Sequence, residues 1–147
     1  MKKSANNEPQ KNIKATKVEE PEATYYPSKQ MRLTKEFTFN EFKKIADKVD
    51  LTQKEWSDVL HISERTLQRY AKDNSTFNFS VIDRILLIDK VIKKGINIFG
   101  NGAGFITWLK DDPNSIDGEL GLHSLASFDG ISKVLNQLGR IEHGILA

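Results

Sequence analysis

Thr38 and Glu41, Thr52 and Glu55, and Ser80 and Asp83 each set a hydroxyl side chain three residues ahead of a carboxylate. At that spacing each partner can satisfy a backbone N–H that the first turn of a helix leaves free. Apolar residues at helical intervals follow each pair. Phe39, Phe42, Ile45, Ala46 and Val49 predict a first helix over 39–49, and Thr52 opens a second with Trp56, Val59 and Leu60. His61-Ile62 makes a tight break, and Ser63 can cap a third helix carrying Leu67, Tyr70 and Ala71. The Ser80–Asp83 pair precedes Val81, Ile82, Ile85, Leu86, Ile88, Val91 and Ile92, with Gly95 expected as the stop. That fourth helix is apolar around most of its girth, which places it in the core or at a subunit interface.

Further along, Phe105–Leu109 predicts a short helix closed by Asp112-Pro113-Asn114. A glycine-containing connection follows, and Ile131, Val134, Leu135, Leu138 and Ile141 mark a last helix over 128–143 ending at Gly144. Gly139 inside it predicts a close packing contact. No sustained alternation of period two occurs. The expected fold class is all-α.

Before Phe37 the pattern is different. Residues 1–30 are rich in Lys, Glu, Asn, Pro and Ser, and are expected to be a disordered tail, with 31–36 an extended arm. No apolar stretch approaches the roughly 20 residues of a membrane-spanning helix. The N-terminus lacks the apolar segment of a signal peptide. Cysteine is absent, which removes disulfides, thiolate metal sites and cysteine nucleophiles and fits a cytoplasmic location. The net charge of +2 is unevenly spread: +3 over residues 1–36, +2 over 37–95 and −3 over 96–147. The basic front suits a phosphate backbone and the acidic back does not.

The residues 51–70 carry the sharpest chemistry. Two capped helices at this separation have helix-turn-helix spacing, in which the start of the second helix enters the major groove. Arg65, Thr66, Gln68 and Arg69 would face base edges or flanking phosphates, and Gln53 at the start of the preceding helix could reach a phosphate. The turn commonly carries glycine. Here it is His61, a residue that takes the left-handed conformation more readily than most.

Enzymatic readings fare poorly. Gly100-Asn101-Gly102-Ala103-Gly104 lacks the spacing of a dinucleotide loop and has no parallel sheet to sit on, so a flexible inter-helix loop is expected. His61, His123 and His143 lack metal-ligand spacing. Asp111-Asp112 and Asp117 with Glu119 read as a solvated loop, and Trp108 as core. No catalytic site, metal or cofactor is expected.

Residues 38–75 resemble the Xre-type, Cro/repressor-like helix-turn-helix family. Behind them, Phe99-Gly100, Trp108-Leu109, Pro113-Asn114, Gly118, Leu122, Leu125, Gly130, Val134, Leu138-Gly139-Arg140-Ile141-Glu142 and Gly144 look like the C-terminal domain of Xre/MbcA/ParS-type antitoxins. The resemblance implies a helix-turn-helix DNA-binding and dimerisation domain over 31–95 and a toxin-binding domain over 96–147. It implies an antitoxin that blocks an NAD-consuming RES-domain toxin and, as a homodimer within the toxin–antitoxin complex, represses its own operator DNA. In that setting Gly144, Ile145, Leu146 and Ala147 form an apolar tail ending in an anion, suited to plug a pocket built for a dinucleotide, with Arg140 and Glu142 at the mouth. The alternative is a stand-alone Xre-family regulator whose C-terminal domain only dimerises.

Overall fold

Helix α1 (Phe39–Ala46) opens the computed structural model, which describes residues 37–144. The tail and arm over 1–36 and the terminal Ile145, Leu146 and Ala147 lie outside the described residues. After α1 come α2 (Gln53–Leu60), α3 (Glu64–Asp73), α4 (Phe79–Phe99) and α5 (Gly102–Lys110). A two-residue antiparallel pair, β1 (Asn114–Ser115) and β2 (Gly118–Glu119), leads to a 3-10 helix (Leu122–Ala126) and α6 (Phe128–Glu142). The fold is all-α apart from that small hairpin.

Two of the helix starts are as the spacing predicts. The Glu55 N–H donates to Thr52 Oγ1 at 3.1 Å and the Thr52 N–H to Glu55 Oε2 at 2.7 Å, closing the capping box of α2. Ser63 Oγ accepts from the Thr66 N–H at 3.0 Å and caps α3.

Two others correct it. Thr38 gives α1 no side-chain cap. Its first N–H groups are taken instead from the far end of α3: Phe39 N–H donates to the Ser75 carbonyl at 2.9 Å, and Asn40 N–H to Asn74 Oδ1 at 2.9 Å. Nor does Ser80 cap α4. Asn78 does, accepting from the Val81 N–H at 3.0 Å, and Ser80 Oγ merely donates to the same Asn78 Oδ1.

Gly95 does not stop α4, which runs on to Phe99 and ends at Gly100 with φ 91°. The boundary expected at 95/96 therefore falls inside a continuous helix. Gly95 is small for another reason: the ring of Phe105 lies against it and leaves no room for a Cβ. The Gly100–Gly104 stretch is likewise no long loop. Asn101 caps α5, accepting from the Gly104 N–H, and Gly102 sits under the Lys48 carbonyl, where a side chain has no room. The close contact expected at Gly139 is not found, since nothing lies within 4 Å of where a Cβ would stand.

Helix α4 is the spine. Ile82, Ile85, Ile88 and Val91 are fully buried along it, and it packs against α2, α5 and α6. A single apolar core runs from Phe37 through α4 to Leu138. Beside it Phe77 sits among aromatic rings, edge-on to Phe42 at 5.5 Å and to Tyr70 at 5.1 Å; Phe42 in turn meets Trp56 at 5.0 Å. These contacts hold α1, α2 and α3 together. Trp108, expected in the core, is half-buried at its edge, against Phe99 and Phe105.

Candidate nucleic-acid interface

Helix α3 buries Leu67 and half-buries Tyr70, which turns Arg65, Arg69 and Lys72 outward. With 3.6 residues per turn, positions i, i+4 and i+7 share one face. The three cations therefore line a single exposed stripe from the first turn of α3 to its last. Arg69 also lies over the ring of Tyr70, 5.6 Å from its centroid.

These charges are free in a way most others are not. Among the described residues, Lys43, Lys44, Lys48, Lys54, Lys93, Lys94, Lys110, Lys133 and Arg140 each pair with a carboxylate at 2.8–3.2 Å. Arg84 donates to a backbone carbonyl. Arg65, Arg69 and Lys72 have no carboxylate partner among the described residues, and their donors are available to an external anion.

The other residues expected at the interface are Gln68, Gln53 and Thr66. Gln68 is exposed and its Nε2 donates to Gln53 Oε1 at 3.3 Å, so the two glutamines bridge α2 and α3. Thr66 is half-buried, and its hydroxyl accepts from Ser63 Oγ at 2.9 Å, which employs it locally. Lys72 was not among the residues singled out from sequence. Its spacing of seven from Arg65 and three from Arg69 is the signal that marks it.

The turn between α2 and α3 is formed by His61 at φ 60°, ψ 39°, in the left-handed region. Its N–H donates back to the Asp58 carbonyl, and the Ile62 N–H to that of Ser57. Together with two capped helices and a shared apolar seam of Trp56, Val59, Leu60 and Leu67, this is a helix-turn-helix. Residues 39–88 match the family model described as the antitoxin Xre-like helix-turn-helix domain. No curated protein matches the chain.

At the other end of the chain, Arg140 Nη2 pairs with Asp117 at 3.0 Å and Nη1 donates to Gln137. Glu142 pairs with Lys94 at 3.2 Å. Gly144, at φ 78°, ends α6 in the left-handed conformation. Among the described residues no cluster of metal-ligating side chains occurs, and no helix is long and apolar enough to cross a membrane.

Two carboxylates tie the helix-turn-helix to the rest of the fold. Asp89 on α4 is nearly buried and meets Lys48 at 2.9 Å and Lys93 at 3.0 Å. Burial disfavours its charge, yet the two ammonium groups outweigh burial and hold its carboxyl below the ordinary value. The hydrogen bond from Lys110 lowers Glu55 in the same sense, and the Thr52 N–H adds to it. A carboxyl whose native pKa lies below its unfolded value of about 4 stabilises the fold above that value. The contribution disappears as pH falls through the depressed native pKa. Stability is thus expected to drop on acidification below about pH 4, and the double variant Asp89→Asn, Glu55→Gln to show a flatter acid limb. Urea midpoints measured between neutral and acid pH check this; an unchanged slope in the double variant refutes it.

Proposed function

We propose that the chain is a DNA-binding antitoxin that represses its operator through α3 and neutralises a RES-domain, NAD-consuming toxin through its C-terminal end. The observation that carries the DNA half is the stripe of Arg65, Arg69 and Lys72. Three cations without carboxylate partners stand on the exposed face of the second helix of a helix-turn-helix, flanked by Gln68 and Gln53. Arginine suits guanine bidentately and glutamine suits adenine. As a homodimer the protein reads an inverted repeat whose half-sites lie about 34 Å apart.

The match over residues 39–88 supports the antitoxin reading, and the resemblance of the C-terminal third extends it to the toxin. Arg140 and Glu142 act there by fixing the last turn of α6, each held by its ion pair. The toxin-binding residues are then that turn and the tail of Gly144, Ile145, Leu146 and Ala147.

Co-expression with a RES-domain toxin tests the reading. The full chain is expected to rescue growth and to co-purify with the toxin, whereas a chain ending at His143 stays folded and loses rescue. Equal rescue by both removes the tail as the inhibitory element. Absence of any complex removes the toxin from the proposal.

A further inference from the structure

A glycine at position 61 would take the left-handed conformation freely, but it would have no side chain. His61 has one, and its Nε2 lies 2.7 Å from the carbonyl oxygen of Ala126. A carbonyl oxygen only accepts, so Nε2 carries the proton in this contact. Arg84 Nη1 donates to the same oxygen at 2.7 Å, and its guanidinium lies over the ring of Phe128 at 5.4 Å. Both lone pairs of that carbonyl are engaged.

The place of Ala126 gives these bonds their meaning. It closes the 3-10 helix, and the next residue, Ser127, caps α6 by accepting from the Gly130 N–H at 3.0 Å. Gly130 lies so close to the Ser124 carbonyl that a Cβ has no room between them, so the 3-10 helix is locked against the start of α6. One backbone oxygen therefore joins the turn that launches α3, the spine α4 and the start of α6. Neither donor belongs to the exposed stripe of α3.

We propose that His61 is a positioning residue for DNA reading: with Arg84 it fastens the launch angle of α3 to the start of α6 through the Ala126 carbonyl. The imidazole explains why this turn carries histidine where glycine is common. The proposal rests on the DNA-binding reading for its consequence, and on the geometry around Ala126 for its mechanism.

The test uses the full chain with His61→Gly and, should that variant unfold, His61→Asn, which tolerates the left-handed turn but is too short to reach Ala126. The probes are a duplex that the wild-type chain selects from a random-sequence pool, and a shuffled duplex of equal length. The expected result is a loss of about tenfold or more on the selected duplex, with binding to the shuffled one unchanged within about twofold. Amide exchange in the free protein is expected to quicken both at residues 61–66 and at 127–131, far apart in sequence but joined at Ala126. Arg84→Met, which loses the guanidinium and with it the donor to Ala126, should shift both readouts the same way. An unchanged ratio of selected to shuffled binding overturns the positioning role. Exchange that quickens at 61–66 alone overturns the link itself. If the wild-type chain selects no duplex, the DNA-binding reading falls, and the exchange at 127–131 still decides whether His61 couples the two segments.

Discussion

Arg69→Ala weakens binding to the operator by about 1–3 kcal/mol and relaxes base preference at one position of each half-site. The expectation follows from geometry. Arg69 stands mid-way along the exposed stripe of α3, lies over Tyr70, and has no carboxylate to satisfy it among the described residues. Lys72, one turn closer to the end of the helix, is a different kind of contact. Lys72→Ala should weaken operator and random DNA alike and reduce the salt slope by about one. Titrations of both variants at two salt concentrations separate the roles. Equal losses for Arg69→Ala on operator and random duplex would demote it to a phosphate contact, and no loss on either would remove α3 as the reading helix.

Phe77→Ala is expected to cost about 3–5 kcal/mol of folding stability. Phe77 is 1% exposed and touches rings from α1 and α3 together, so its removal leaves a cavity that neither helix can close alone. Ile116, 68% exposed at the hairpin tip, is the control: Ile116→Ser should move stability by no more than about 0.5 kcal/mol. Denaturant midpoints for the two variants give the comparison. A loss below about 1.5 kcal/mol for Phe77→Ala would mean the aromatic cluster is not what holds α1 to α3.

The parts of this fold that are legible in the sequence are those decided within a turn or two of chain. Thr52 with Glu55, Ser63 with Thr66, and Gly144 after α6 all act on neighbours three or four residues away, and each is where its spacing puts it. Two of the misses have a distant partner behind them. The start of α1 is satisfied by Asn74 and Ser75, more than thirty residues on, which leaves Thr38 with nothing to cap. Gly95 looks like a helix stop by composition, but the ring of Phe105 requires the missing side chain. The candidate interface follows the same rule. Arg65, Gln68 and Arg69 can be picked from periodicity, and Lys72 could have been. The second role of His61 could not, because its partner is a backbone carbonyl, and a carbonyl leaves no trace in residue identity.

The continuity of α4 has a consequence for how long the protein's activities last. At about 1.5 Å per residue its 21 residues span roughly 30 Å, and the helix-turn-helix and α6 both rest on that one rod. A protease that captures the chain at either end and pulls α4 apart removes the footing of the other end in the same event. Half-degraded molecules that keep one activity and lose the other should not accumulate. Loss of the protein from the cell would then act as a single clock, with whatever is done by α3 and whatever is done beyond α6 released at the same moment.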